Sequence, residues 1–287
     1  MKNNRTFSFI AVAVVYVLVT ILGVVTFNNL PFADVWLKLL IADVVATAGT
    51  FVFSIIFKNS SVYDPYWSVQ PIVIIFAFAI GKKLNAMRIL TLVVISLWGI
   101  RLTANWAYTF KNLNHQDWRY TMLKEKTGVF YPLINFLGIH LFPTLVVYAC
   151  VLPAVYIFLL DLQINLLSVV FFAVSVFAFT LQGVSDVQMH AYRKERTGNF
   201  IRRGLWKYSR HPNYLGEILM WWGVALVFIT ALPNMWYLDM WYLGAGALIN
   251  TLMFLFVSIP MADKRQSKKQ GFSEYKAQTR MLLPIKK

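Results

Sequence analysis

Long uncharged apolar runs dominate this sequence and restrict the folds open to it. A helix needs about 20 apolar residues to cross the roughly 30 Å of bilayer hydrocarbon, where only helices and closed barrels satisfy their own backbone polar groups. Hydrophobic residues make up 59% of the chain and charged residues 14%, whereas soluble domains are about 25% charged. We predict an all-α polytopic membrane bundle of seven or eight transmembrane helices, and we favour eight, at about 7–27, 35–57, 66–81, 88–108, 133–160, 165–184, 214–232 and 240–260.

The formal net charge of +15 is explained by membrane topology. With a cytoplasmic N-terminus, most of the 27 lysines and arginines fall in inside segments, at 1–6, 58–65, 109–132, 185–213 and 261–287. This is the positive-inside pattern, which predicts that both termini are cytoplasmic and makes a nucleic-acid partner unnecessary. We expect a single integral membrane domain over 1–287, in a bacterial inner membrane or, in a eukaryote, the endoplasmic reticulum, with the lipid bilayer as its partner.

Polar and ionisable side chains concentrate between two of the apolar runs, at 182–223. Such groups are costly at membrane depth unless they face a bundle interior or a wet cavity, so they indicate a functional site. If the sixth helix continues past the bilayer surface, the spacing of Gln182, Asp186 and Arg193 places all three on one stripe. Further bases follow that could bind phosphate oxygens or anionic lipid, namely Arg196, Arg202, Arg203, Lys207 and Arg210.

A second polar face is predicted on the next helix. Proline is favoured at the first position of a helix, so this helix should begin at His211 or Pro212, and its free N–H groups attract anions. Asn213, Glu217 and Trp221 then follow at four-residue steps on one face. An amide and a carboxylate backed by an indole can hold a flat heterocycle that carries a carboxamide, while His211 could equally be a capping residue.

The motif around His211 carries a resemblance to a known family. The sequence G-L-W-K-Y-S-R-H-P-N-Y-L-G-E-I, together with the closing F-S-E-Y-K-A-Q-T-R-M-L-L-P, resembles the C-terminal domain of the steroid 5-alpha-reductase family. Its bacterial-type multi-pass relatives, a domain of unknown function numbered 1295, are the most similar. The likeness is good over 180–287 and much weaker over the first 130 residues.

That resemblance implies a bundle of about seven helices that uses NADPH to reduce a carbon–carbon double bond conjugated to a carbonyl. The substrate would be a lipophilic small molecule, steroid-like or isoprenoid, and the cofactor site would face the cytoplasm. The residues implied in cofactor binding are Gln182, Asp186, Arg193, Arg202, Arg203, Arg210, His211, Asn213, Tyr214, Glu217, Trp221 and Tyr275.

For catalysis, the family pairs a carboxylic acid and a tyrosine from neighbouring N-terminal helices to hydrogen-bond the substrate carbonyl. Asp64, in Y-D-P-Y-W, is the nearest match to the acid, whereas Trp98 stands where the tyrosine is expected. Tyr66 is taken as the tyrosine, with Tyr63 and Tyr108 as substitutes, and Glu217 is included in the catalytic set.

Two other functions compete with this one. Isoprenylcysteine carboxyl methyltransferases and phospholipid methyltransferases share the R-H-P-x-Y-x-G turn and bind S-adenosylmethionine, but they carry paired acids where this chain has Asp263 followed by Lys264 and Arg265. A basic groove suits a phosphate-rich nucleotide better than a cationic sulfonium. The other alternative is a transporter or a non-catalytic lipid-binding protein. No metal is expected, because the four histidines and the single Cys150 lack a ligand spacing.

Overall fold

The protein is described from a computed structural model that covers residues 2–195, 198–233 and 237–287. Arg196, one of the predicted basic residues, lies outside these ranges. The helices in the first half are α1 (Arg5–Asn29), α2 (Val35–Phe57), α3 (Tyr66–Ala79), α4 (Ala86–Thr109), α5 (Trp118–Thr127), α6 (Tyr131–Ile134) and α7 (Phe142–Leu159). Those in the second half are α8 (Leu166–Glu195), α9 (Pro212–Ala231), α10 (Tyr237–Met240), α11 (Ala245–Met253), α12 (Ile259–Gln266) and α13 (Phe272–Gln278).

Short turns of other helix types connect several of these elements. Segments of π-helix, Asn135–Leu141 and Phe254–Ser258, join α6 to α7 and α11 to α12. The chain therefore runs as continuous helical stretches over Trp118–Leu159 and Trp241–Gln266. Within the described ranges, seven helical segments are long and apolar enough to span a membrane. This confirms a polytopic helical membrane protein.

The favoured count of eight spanning helices is wrong, because the third apolar run forms the short helix α3. Its 14 residues measure about 21 Å at 1.5 Å per residue, less than the bilayer hydrocarbon thickness. Pro65 immediately precedes α3, and Gly81 adopts a φ of 72° shortly after its end. These two residues limit the helix within an apolar run that is itself longer.

The chain nevertheless returns from one end of the bundle to the other between α2 and α4. Lys2 Nζ donates to the Phe57 carbonyl and Arg5 Nη2 to the Ala107 carbonyl, both at 2.8 Å, so α2 and α4 end beside the start of α1. Because α4 is a continuous helix of 24 residues, its first residue lies about 35 Å away, at the other end. The segment 58–85, including α3, must cover that distance.

The chain folds into two compact units. The first contains Met1–Ile80 and Trp98–Leu152, and the second contains Gly81–Leu97 and Pro153–Lys287. In the first, α1 and the turn before α3 pack around a core that includes Val12, Val15, Val62 and Tyr63. In the second, α8 and α9 pack against each other, and the segment after α13 runs beside Ser209, where Arg210 N–H donates to the Arg280 carbonyl at 3.0 Å.

Candidate functional site

In the second unit, Glu217 is the centre of a buried polar cluster. Gln182 Nε2 donates to its Oε2 at 2.5 Å, and Trp221 Nε1 donates to its Oε1 at 2.9 Å. Glu217 is 5% exposed, Gln182 2% and Trp221 1%. Each oxygen of this carboxylate therefore accepts a hydrogen bond from a neighbouring side chain. Three of the residues predicted to bind the cofactor thus contact one another in the fold.

Close packing of α8 against α9 makes this contact possible. A Cβ added to Gly216 would lie 2.4 Å from Gln182 Cγ and 2.6 Å from the Ala178 carbonyl oxygen. Seven residues further along α9, a Cβ on Gly223 would lie 2.0 Å from Ser175 Oγ. Glycine at both positions lets the two helix backbones approach at these points, which brings Gln182 within reach of Glu217.

Two buried oxygen atoms beside this cluster have no hydrogen-bond partner among the described residues. They are Gln182 Oε1 and Asn213 Oδ1. Buried acceptors are nearly always satisfied in native proteins, so unpartnered ones call for a ligand, water or ion. An amide-bearing heterocycle supplies N–H donors of the required kind, so the residues present are compatible with a nicotinamide carboxamide.

The expected stripe on α8 is also present. This helix continues without a break to Glu195, which confirms the condition on which that prediction rested. Asp186 is half-buried, one turn beyond Gln182, and Arg193 is exposed in the last turn. As predicted, α9 begins at Pro212 with His211 as its cap residue.

Arg210 and His211, both predicted to bind the cofactor, converge on Asp263. Asp263 Oδ2 lies 3.3 Å from Arg210 Nη2, and Asp263 Oδ1 lies 2.9 Å from His211 Nε2. Lys276 is a third basic residue, with its Nζ 3.3 Å from Oδ2. Arg210 Nη1 also donates to the Thr279 carbonyl at 2.7 Å, and the His211 ring stacks on Tyr214 with centroids 5.1 Å apart. In this arrangement Arg210 and His211 hold α12 and the segment after α13 against the start of α9.

The remaining predicted cofactor residues lie near the same surface, where several are engaged with protein groups. Arg202 donates to the Gly271 carbonyl at 2.9 Å and lies over the Phe200 ring, while Arg203 pairs with Glu195 at 2.7 Å. The Tyr275 hydroxyl donates to the Trp206 carbonyl at 2.5 Å, and burial raises the pKa of Tyr275 to about 12.

Arg193 lies within a small group of cations. Burial lowers the pKa of Lys269, and the positive charges of Arg265 and Arg193 lower it further. Lys269 Nζ donates to the Asn199 carbonyl at 2.7 Å. Like charges held together in this way favour an anionic ligand such as a phosphate. Sequence reasoning did not single out Lys269, and its place in a basic terminal segment gave no specific signal.

In the first unit, Asp64 is bonded to a tyrosine that sequence reasoning did not name. The Tyr120 hydroxyl, on α5, donates to Asp64 Oδ1. Burial raises the pKa of the Asp64 carboxyl to about 6, against the opposing effects of the Arg119 charge and the Tyr120 hydrogen bond. Asp64 therefore has an acid–phenol partner as expected, but the partner lies 56 residues away in sequence.

Tyr66 is bonded to a different carboxylate. Its hydroxyl donates to Asp43 Oδ1 at 2.9 Å, and Gln70 Nε2 donates to Asp43 Oδ2 at 2.5 Å. Asp43 lies on α2 and Tyr66 on the neighbouring α3, and both are buried. The only acid inside the 35–57 run is Asp43, and an intramembrane carboxylate is a functional signal in itself.

The other aromatic candidates lie in different surroundings. Trp98 is fully buried, with its ring centroid 6.3 Å from that of Trp67. Tyr108 is exposed, and the Tyr63 hydroxyl is hydrogen-bonded to Thr144 at 2.8 Å. The carboxylates of the first unit that bond a phenol are therefore Asp43 and Asp64.

Fold and site together define a polytopic helical membrane protein with buried carboxylates in both of its units. A family described as a protein of unknown function (DUF1295) matches residues 50–279. The chain belongs to this family. The matched residues begin well before 180–287, which is the range over which the sequence motifs alone indicated a resemblance.

One curated relative is itself uncharacterised. Protein C594.04c of Schizosaccharomyces pombe is 26% identical over 194 residues, which covers 57% of this chain and 56% of that protein. The chain thus spans little more than half the length of this relative. No solved structure matches the chain.

Proposed function

We propose that this protein is a membrane-embedded, NADPH-dependent reductase of a conjugated carbon–carbon double bond in a lipophilic substrate, steroid-like or isoprenoid. The observation that carries the proposal is the buried pair formed by Asp43 on α2 and Tyr66 on α3. The resemblance implies an acid and a tyrosine on neighbouring N-terminal helices, and such a pair can donate hydrogen bonds to a substrate carbonyl. These bonds stabilise the enolate that develops during reduction of an enone.

In the second unit, the residues suited to the cofactor fall into two groups. Gln182 and Asn213 offer side-chain oxygen acceptors for a carboxamide, and both atoms are buried without a partner among the described residues. Glu217 accepts from Gln182 Nε2 and so orients the Gln182 amide. Arg193 and Lys269 offer positive charge for phosphate, including a 2′-phosphate. Bound NADPH supplies a hydride to the β-carbon of the enone.

In the first unit, Asp43 and Tyr66 would act on the carbonyl. When Asp43 is protonated, the carboxyl and the phenol hold two protons between them, so one can bridge the pair while the other is directed at a substrate oxygen. Gln70 fixes the second carboxyl oxygen from the same helix as Tyr66. Asp64 with Tyr120 is the other acid–phenol pair. Asp43 lies within the spanning helix α2, whereas Asp64 lies in the turn before α3, which favours Asp43 for a substrate that enters from the bilayer.

The environment of Asp263 disfavours the methyltransferase alternative. A methyltransferase of this kind would need acidic groups before the last amphipathic segment to attract the sulfonium of S-adenosylmethionine. Asp263 is instead bonded by His211 and neutralised by the cations of Arg210 and Lys276, so little negative charge remains there to bind a sulfonium.

The first test is titration of the detergent-solubilised protein with NADPH, NADH and S-adenosylmethionine. We expect NADPH to bind more tightly than NADH, and S-adenosylmethionine not to bind. Glu217→Gln and Asn213→Ala should weaken NADPH binding, and Arg193→Ala should cost about 1.5–3 kcal/mol as a lost charge-assisted contact. The exposed acid Glu125 provides a control, since Glu125→Gln should leave the affinity unchanged. Binding of the methyl donor alone would support the methyltransferase, and binding of none of the three would support a transporter or lipid-binding protein.

A turnover assay then identifies which of the two carboxylic acids, Asp43 or Asp64, acts on the substrate carbonyl. A panel of lipophilic enones is screened by following NADPH absorbance, and the active compound is assayed with Asp43→Asn and Asp64→Asn. We expect Asp43→Asn to lower kcat about 100-fold or more, as for loss of a general acid, with NADPH affinity unchanged. The reverse pattern, in which only Asp64→Asn is inactive, would assign the role to Asp64.

A further inference from the structure

A third amide side chain in the second unit also has a buried polar atom without a partner. Asn250 lies on α11 and is 3% exposed, and its Nδ2 has no hydrogen-bond partner among the described residues. Asparagine in a membrane helix commonly bonds across to a neighbouring helix and so holds the two helices together. Asn250 Nδ2 makes no such bond to the described residues, and a buried donor left without an acceptor is costly. This N–H group therefore calls for an acceptor on a ligand or a water molecule.

Asn250 lies on the inner face of α11. Gly246 and Ala247, one turn before it, are buried as well. Leu248 and Leu252, on the opposite side of the helix, are exposed. Residues three and four apart share one face of a helix, so Asn250 belongs to the face that packs against protein. A polar group at this depth of a spanning helix is a functional signal in itself.

Contacts on either side place this amide level with the Glu217 cluster. Phe254, one turn further along α11, packs on Tyr214 of α9, with ring centroids 4.8 Å apart. Thr251 Oγ1, on the residue next to the amide, accepts from Trp222 Nε1 of α9 at 2.9 Å. Tyr214 and Trp222 lie on either side of Glu217 in α9, so the intervening part of α11 runs beside the cluster.

The unpartnered atoms of three amide side chains complement a carboxamide. Gln182 Oε1 and Asn213 Oδ1 are acceptors, and Asn250 Nδ2 is a donor. A carboxamide presents the opposite set, since its NH₂ group supplies two donors and its carbonyl oxygen is an acceptor. Water molecules can satisfy the same atoms one at a time, whereas a carboxamide satisfies all of them with a single planar group.

We propose that Asn250 binds the nicotinamide carboxamide of NADPH, with its Nδ2 donating to the carboxamide oxygen. Gln182 Oε1 and Asn213 Oδ1 then accept from the NH₂ group on the other side. This assignment rests on the proposed function, because it takes NADPH as the cofactor. Donors and acceptors fixed on three different helices prevent the carboxamide from turning over, so Asn250 orients the ring for hydride transfer.

Ligands that contain or lack parts of the carboxamide test this role by binding alone. The affinity of the protein in detergent is measured for NADPH, for 2′-phospho-ADP-ribose, which lacks the nicotinamide, and for the reduced 3-acetylpyridine analogue of NADPH. This analogue keeps the carbonyl oxygen but has a methyl group in place of NH₂. Asn250→Leu should weaken binding of NADPH and of the analogue about tenfold, as for one lost buried hydrogen bond, and leave 2′-phospho-ADP-ribose unaffected. Asn213→Ala should instead weaken binding of NADPH alone.

Thr251→Val is the matched control, because Thr251 is the next residue of α11 and bonds to α9 through Trp222. This variant should bind all three ligands as the wild type does. If Asn250→Leu fails to fold, Asn250→Ala removes the same N–H group with a smaller side chain. Equal weakening of all three ligands would mean that Asn250 acts through the fold, and unchanged NADPH affinity would mean that its Nδ2 bonds to water. Either result would overturn the assignment and leave the proposed function standing, whereas a wild type that binds no NADPH would overturn both.

Discussion

At the scale of single residues, Asp263 contacts three basic side chains. Arg210 and His211 approach it from the start of α9, and Lys276 approaches it from α13. The side chains of Arg210 and Asp263 are only 8% and 10% exposed. Removing one partner of a buried pair is costly, because the other charge remains buried without compensation.

We therefore expect Asp263→Asn to destabilise the protein by about 3–5 kcal/mol, measured as a lower midpoint of thermal unfolding in detergent. The exposed pair of Glu195 and Arg203 provides the comparison. Water already solvates both of those groups, so Glu195→Gln should leave the midpoint unchanged. Equal stability of the Asp263 variant and the wild type would mean that Arg210 is solvated, and the buried assembly around it would have to be abandoned.

At the scale of helices, the packing of α8 on α9 depends on two glycines. Added side-chain atoms at Gly216 or Gly223 would collide with atoms of α8. The collisions at Gly216 involve Gln182 itself, so the geometry of the Glu217 cluster and the separation of the helices are coupled.

Gly216→Ala should separate the two helices, cost about 1–3 kcal/mol through overpacking and weaken NADPH binding. Gly23 on α1 provides a matched helical control, because a Cβ there meets Ala46 Cβ at an ordinary 3.5 Å. Gly23→Ala should be neutral or stabilising, since alanine favours the helix over glycine by about 0.5–1 kcal/mol. Thermal unfolding and NADPH titration measure both effects, and a Gly216→Ala protein as stable as Gly23→Ala would contradict the close approach.

Local sequence patterns predict where several helices begin and end, but they do not predict the contacts between helices. The extension of α8 to Glu195 and the start of α9 at Pro212 follow from local periodicity and proline geometry, and both are confirmed. The contacts of Asp43 with Tyr66 and of Asp64 with Tyr120 depend on how helices pack, which no local pattern encodes. The bounds of α3 agree with the predicted run 66–81 to within two residues. The error was to count so short a helix as a full-length span.

At the scale of the whole molecule, seven long helices coexist with a chain that changes ends between α2 and α4. Asn85 Nδ2 donates to the Leu162 carbonyl at 3.0 Å, and Arg88 lies 3.8 Å from Asp161. The segment before α4 thus lies beside the connection between α7 and α8. The short α3, with a 3-10 helix and turns before it and turns after it, therefore carries the chain from the end of α2 to the start of α4 without being a full-length spanning helix.

Labelling of introduced cysteines by a membrane-impermeant maleimide in intact cells checks this arrangement. We expect Lys82→Cys and Gln163→Cys to react from outside, and Asn114→Cys to react only after lysis. The native Cys150 is buried and should remain unlabelled, so the wild type is the control. Opposite behaviour of positions 82 and 163 would show that α3 does not carry the chain across.

The pairing of Arg210 with Asp263 also sets the timing of biosynthesis. The Arg210 guanidinium and the carboxylate that neutralises it are 53 residues apart, and ribosomes add about 5–20 residues per second. The start of α9 must therefore wait several seconds, while two further apolar segments enter the membrane, before its buried cation is neutralised. During this interval the nascent chain exposes an unpaired arginine, which makes this loop a natural point for chaperones and quality-control proteases to act.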